Sequence, residues 1–389
     1  MTDVVIAGVG QTPVGEHWEI PLRDLAIQAM QSALKDSTGL RPEALYAGNM
    51  LAPSLSHQAH LGVLLADYAG MAGIEAETVE AAGASGGAAL RQGFLAIASG
   101  LVDVALVVGV EKFTDLIGPD VEAALATASD SDYEAIQGLT PTAQAALLTR
   151  RYQHEFKLPA DGLAGFALND HANGAGNPNA MFRKAVRLET YQQAEMVSDP
   201  LNMFDIAPNA DGAAALLLTR PDLLPRKFAN PLVRIAASAT ASDTLALHDR
   251  ADPLWFSAAQ LSVERALHKS GIAREQINLF EYHDAFPVYA ALSLEAAGFA
   301  TRGTGWKLSQ DGSIGLKGRI PCGTLGGLKA RGNPGGATGV YQAVEAALQL
   351  RDQAGANQIP QAKVALIQSL GGPASTAVTH ILEYVGETS

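Results

Sequence analysis

Apolar residues at positions 4–9 form a compact run that predicts a strand. Behind it Leu22, Leu25, Ala26, Ala29, Met30 and Ala33 recur at the spacing of one helix face. Residues 77–82 lead into the glycine-rich stretch 83–87, a helical stretch to about Ser99 and a second apolar strand at 104–108. This alternation of strand and helix is the pattern of an α/β fold. The second half repeats the plan. Residues 233–237 (VRIAA) echo 4–8 (VVIAG), and an amphipathic helix follows through Ala259, Val263, Ala266 and Leu267. A glycine-rich turn at 332–339 then precedes a helix and the run 364–367 (VALI), which resembles 104–107 (VALV). Duplication of one α/β unit accounts for this order. Residues 113–200 exceed an ordinary connection, and their helical stretches predict a folded excursion that covers a site. The expected division is 1–112 with 201–230 as the first half, 113–200 as a cap and 231–389 as the second half.

Composition narrows the class. A chain of 389 residues, 48% apolar and 17% charged, is expected to fold as two closely packed lobes around a large core. No apolar run approaches the roughly 18 residues that span a bilayer. Residues 1–15 carry no basic leader, and Asp3 is unlike a secretory signal, so a cytoplasmic location is expected. The single cysteine, Cys322, rules out an internal disulfide and a thiolate metal cluster; it reads as structural, and no metal site is expected. A net charge of -13 opposes nucleic-acid binding, and the short basic run Arg183, Lys184 and Arg187 reads as solvated surface.

Four glycine-rich or polar segments are candidates for chemistry. Gly8, Gly10 and Gly15 follow a strand, but the third glycine of a dinucleotide turn would fall at Pro13, so a close backbone approach explains them better. Gly83-Ala84-Ser85-Gly86-Gly87 matches the G-x-S-x-G of a hydrolase elbow, with Asp284 and His380 later in the chain in the order a triad needs. His283, in Glu281-Tyr282-His283-Asp284-Ala285-Phe286, follows an apolar strand at 277–280. It either faces a cleft at the strand's carboxyl end or packs between repeats. The turn at 332–339 either offers backbone N–H groups to an oxyanion or lets the repeats pack closely.

Taken together, these segments resemble the thiolase superfamily over essentially the whole chain, particularly the archaeal and sterol-carrier-protein-type thiolases. The matching residues are Ala84-Ser85-Gly86-Gly87-Ala88-Ala89, His171-Ala172-Asn173 with Asn177-Pro178-Asn179-Ala180, and Asp211-Gly212-Ala213-Ala214-Ala215. His283-Asp284-Ala285-Phe286 and Gly335-Gly336-Ala337-Thr338-Gly339 complete the set. The resemblance implies an α/β thiolase fold: duplicated βαβαβαββ halves in a layered α/β/α/β/α sandwich, a loop excursion over the site, and a homodimer or tetramer. It also implies acyl-CoA thioesters as substrate or ligand, with no covalently bound cofactor.

The family's nucleophilic cysteine aligns with Gly83 and its Gly-His-Pro histidine with Asn333. Glycine cannot be acylated and asparagine cannot exchange a proton near neutral pH, so thiolysis by the usual route is expected to be lost. Ala285 replaces the further thiol of sterol-carrier-type members, in the form that archaeal-type relatives show. What remains resembles the thiolase-like aldolases, which cleave a carbon–carbon bond of a CoA thioester without an acyl-enzyme and work with a small OB-fold and zinc-ribbon partner. Those aldolases tend to carry tyrosine where this chain has His283. On that reading His283 is the general base and Tyr282 or Tyr341 the proton donor, while Gly83 makes room for substrate. Ser85, Gly336, Gly371 and Gly372 contribute to a substrate-binding, oxyanion-holding pocket. Two alternatives stand beside it: an inactive homologue that binds acyl-CoA or organises a partner, and a serine hydrolase using Ser85.

Overall fold

The computed structural model describes residues 3–386, beginning with strand β1 (Val5–Gln11) and helix α1 (Leu22–Asp36). The buried residues of α1 are the six that recur at helical spacing, so its apolar face lies on the strand. That contact accounts for two glycines. A Cβ at Gly8 would stand 2.1 Å from the Ala33 carbonyl oxygen, and one at Gly10 would stand 2.2 Å from that of Ala29.

The first half continues through β2 (Ala44–Gly48), short helices α2 (Ala52–Leu55) and α3 (Leu61–Tyr68), β3 (Glu75–Val79), α4 (Ser85–Ser99) and β4 (Val104–Glu111). Strand β3 ends before the 77–82 run does, because the backbone turns at Ala82, which adopts a left-handed conformation with φ of 50°. Four helices follow: α5 (Pro119–Ala126), α6 (Pro141–Phe156), α7 (Ala164–Gly174) and α8 (Leu188–Gln192). The hairpin β5 (Met196–Ser198) and β6 (Leu201–Asn202) then leads to β7 (Gly212–Thr219). The second half comprises β8 (Leu232–Ser242), α9 (Ser257–Ser270), β9 (Leu279–Glu281), α10 (Pro287–Ala296), α11 (Lys307–Gln310), α12 (Gly327–Arg331), α13 (Thr338–Leu350), β10 (Val364–Gly371) and β11 (Thr376–Gly386). Among the described residues no helix is long and apolar enough to cross a membrane.

Among the described residues nine strands form one sheet in the order β3-β2-β4-β7-β1-β8-β11-β10-β9. The halves join where Val5 of β1 lies opposite Arg234 of β8. Outward from that join the order is β1-β7-β4-β2-β3 on one side and β8-β11-β10-β9 on the other. The missing fifth position is reduced to a bridge between Phe280 and Cys322. Each half places antiparallel pairs near the join and a parallel pair, β2–β4 or β9–β10, farther out. The sequence repeat is therefore a structural repeat.

Strand residues alternate between two apolar faces. In β4, Ala105 and Val107 share a core with α4 and α13, whereas Leu106, Val108 and Val110 pack with α1 and α3. In β10, Ala365 and Ile367 join the same central core, whereas Leu366 and Leu370 pack with α9 and α10. Both half-sheets are thus covered on both faces, and α4 and α13 form the middle of five layers, α/β/α/β/α. These two helices cross at bare backbone: a Cβ at Gly86 would stand 2.8 Å from the Gly336 oxygen, and one at Gly339 would stand 2.2 Å from the Gly87 nitrogen. The crossing brings the starts of both central helices to one place.

Candidate functional site

Where α4 and α13 begin, Gly83, His283, Asn333 and Gly372 line one cleft of about 110 Å³. Gly83 sits on the Ala82 turn before α4, His283 follows β9, Asn333 precedes α13 and Gly372 follows β10. Residues at strand ends and helix starts are the usual walls of an α/β cleft. A Cβ at Gly83 would stand 3.3 Å from His283 Nε2, 3.0 Å from its Cε1 and 2.8 Å from the Leu370 carbonyl oxygen. The imidazole therefore faces the space that a side chain at position 83 would occupy.

His283 is 5% exposed, and its Nδ1 has no hydrogen-bond partner. Burial, reinforced by the Arg331 guanidinium, lowers its pKa to about 3, so the ring is neutral at physiological pH. A neutral ring with such a weakly basic nitrogen is better suited to donate a hydrogen bond than to hold a proton. Asn333 is fixed on both sides. Its Oδ1 accepts from the Thr338 hydroxyl at 3.0 Å, its N–H donates to the Pro208 carbonyl, and its carbonyl accepts from the Ala210 N–H. This anchoring brings Asn209, which sequence reasoning did not single out, onto the cleft wall.

Beneath the turn, buried Glu111 at the end of β4 accepts hydrogen bonds from the Met50, Leu51 and Gly336 N–H groups and from Asn49 Nδ2. Burial raises its pKa to about 7, with these four donors acting against the rise. The carboxylate clamps two segments that reach the cleft through Met50 and Gly335. The Asp211-Gly212 motif has a similar structural role. Buried Asp211 accepts from the N–H groups of His17, Phe113 and Thr114 and from the Thr114 hydroxyl, tying together segments beside β1, β4 and β7.

Several sequence candidates lie elsewhere. Tyr282 is 1% exposed and sits beside Phe166 and Phe280, and its hydroxyl has no partner. Tyr341 is fully buried, with its hydroxyl 3.1 Å from that of Thr12 and donating to the Thr12 carbonyl at 3.0 Å. Neither tyrosine lines the cleft, and burial pushes both phenols up, so neither is placed to give a proton to a ligand there. Gly336 spends its N–H on Glu111, and Gly371 packs against Ala81, where a Cβ would stand 2.6 Å from the carbonyl oxygen.

Ser85 is also buried; it donates to the Ala82 carbonyl at 2.6 Å and accepts from the Ala81 N–H at 2.9 Å, stapling the turn. The other triad members are engaged separately. Asp284 accepts the Leu328 N–H and faces Asp170, whereas His380 Nε2 lies 3.0 Å from the Gly87 oxygen. Cys322 is buried, and its thiol donates to the Ile320 carbonyl. The far wall of the cleft comes from the 113–200 segment through Glu122, Leu125, Ser129, Thr142 and Gln144. No motif marks these five in the sequence.

Comparison with known proteins matches residues 4–222 to the family model for the thiolase N-terminal domain and residues 239–384 to that for the thiolase C-terminal domain-like family. The chain is 40% identical to an acetyl-CoA acetyltransferase of Methanothermobacter thermautotrophicus over 98% of its own length and 99% of that protein. It is 28% identical to sterol carrier protein 2 of Bos taurus, over 97% of this chain and 71% of that protein. A solved structure described as the Ltp2-ChsH2(DUF35) aldolase superposes with a TM-score of 0.82 at 23% identity, covering 98% of both chains.

Proposed function

This chain belongs to the thiolase superfamily, and from that premise we propose that it binds an acyl-CoA thioester in the cleft and acts on a carbon–carbon bond without forming an acyl-enzyme. The observation that carries the reading is the geometry at Gly83: the position can bear no nucleophile, yet the neutral His283 ring faces the space it leaves. In retro-aldol cleavage of a 3-hydroxyacyl-CoA the 3-hydroxyl gives its proton to solvent, the C2–C3 bond breaks to release a carbonyl fragment, and the thioester enolate left behind takes a proton at C2. The enolate's charge needs hydrogen-bond donors at the thioester oxygen. His283 Nε2–H and the Asn333 amide are the two donors this reading assigns. The 113–200 segment acts as the cap that keeps water from the enolate.

Other features support the same reading. Gly372, with φ of 55°, keeps the end of β10 open beside the cleft, so its backbone can approach a ligand. The solved neighbour's description pairs an aldolase with a DUF35 protein, and we extend to this chain a small OB-fold and zinc-ribbon partner bound to a homodimer or tetramer. The lack of a nucleophile equally favours a second reading, in which the chain binds acyl-CoA and organises that partner without turnover. Incubating the chain, with and without co-purifying protein, with 3-hydroxyacyl-CoA separates them: cleavage products support the first, and calorimetric binding with no product supports the second. Absence of binding contradicts both.

A further inference from the structure

The cap-side wall of the cleft contains polarity that none of the chemistry above uses. Gln144, in the first turn of α6, is 2% exposed and lines the cleft, yet its Nε2 has no hydrogen-bond partner. Ser129, 8% exposed, and Thr142 line the same wall. Pro141 and Thr142 place the start of α6, a helix of 16 residues, against the cleft, where N–H groups carry partial positive charge. The neighbouring wall is apolar, formed by Leu125, Ala128 and Phe286. A buried amide left unpaired among such groups costs stability unless a ligand completes it.

We propose that Gln144, with Ser129 and Thr142, forms a second subsite that receives a neutral oxygen, a ketone or hydroxyl borne by the acyl group away from its thioester. The proposal deepens the acyl-CoA reading and rests on it. A carboxylate is the poorer occupant because, among the described residues, no lysine or arginine lines the cleft, and Glu122 stands on the same wall. Gln144 is thus a specificity-determining residue: it rewards an oxygenated acyl chain and leaves a saturated one facing an unpaired amide.

Calorimetry on the full chain tests this with hexanoyl-CoA, a series carrying one ketone on successive carbons beyond the third, and adipoyl-CoA. The best ketone is expected to bind about tenfold tighter than hexanoyl-CoA, the scale of one buried hydrogen bond. Gln144→Leu is expected to bring the affinity ratio of the best ketone to hexanoyl-CoA from about ten down to about one. Ser129→Ala is expected to narrow the preference severalfold, and it provides a second reading should the leucine variant fail to fold. Equal binding of every ketone and hexanoyl-CoA by the wild type overturns the subsite alone, as does an equal loss of both ligands in Gln144→Leu. Tightest binding of adipoyl-CoA overturns the neutral-oxygen assignment. Failure to bind any of these thioesters overturns the acyl-CoA reading as well.

Discussion

At position 83 the backbone carries no side chain, and an added Cβ would press on the Leu370 carbonyl and the His283 ring. Gly83→Cys is therefore expected to destabilise the fold by ~1–3 kcal/mol, as overpacking does, measurable by denaturant unfolding. His283→Ala is expected to slow any turnover about a hundredfold to a thousandfold, the scale of one lost oxyanion donor. His283→Gln, which retains an N–H donor, should keep more of the rate than alanine does; equal losses would favour the general-base role. The pH response carries a sign. Burial lowers the folded-state pKa of His283 to about 3 from an ordinary 6.5, so the unfolded chain takes up the proton first as pH falls. Its contribution to stability is full above about 6.5 and is lost as pH drops toward about 3, and no step in thioester affinity that depends on His283 is expected between about pH 5.5 and 8. A step in affinity near pH 6.5, absent from His283→Gln, would count against a neutral ring.

At the scale of elements, the crossing of α4 and α13 fixes where the cleft can form. Gly339→Ala places a Cβ 2.2 Å from the Gly87 nitrogen, against backbone that cannot swing aside. Loss of ~3 kcal/mol or of soluble protein is the expected result, checked by thermal melting beside a control with open space around its Cβ position, such as Gly15→Ala. Glu111→Gln turns one acceptor of the clamp into a donor facing N–H groups. A cost of ~1–3 kcal/mol is expected, with weaker thioester binding because Met50 and Gly335 lose their anchor. Much of this level was legible in the sequence. The six-residue face of α1, the VVIAG and VRIAA strands and the two glycine-rich helix starts all sit where their spacing implied. Tyr282 and His283 are neighbours just after β9, yet His283 lines the cleft and Tyr282 packs in the core beside Phe280, a difference the sequence does not show. Gln144 and Ser129 were not legible, because they stand 61 and 46 positions from Gly83 and reach the cleft only through the packing of the 113–200 segment, for which no periodicity supplies a direction.

For the whole molecule, duplication creates the site. Each half supplies one glycine-rich helix start, and the cleft lies where the two starts meet residues of the 113–200 segment. Gly83 and Asn333, on which the proposed chemistry rests, stand before those two starts and meet in the one cleft. The most direct test is intact-mass and product analysis of the wild-type chain, together with any partner that co-purifies, after incubation with 3-hydroxyacyl-CoA. A shorter CoA thioester and a carbonyl fragment are expected, with the protein mass unchanged. An acyl adduct on the protein would contradict the proposed chemistry.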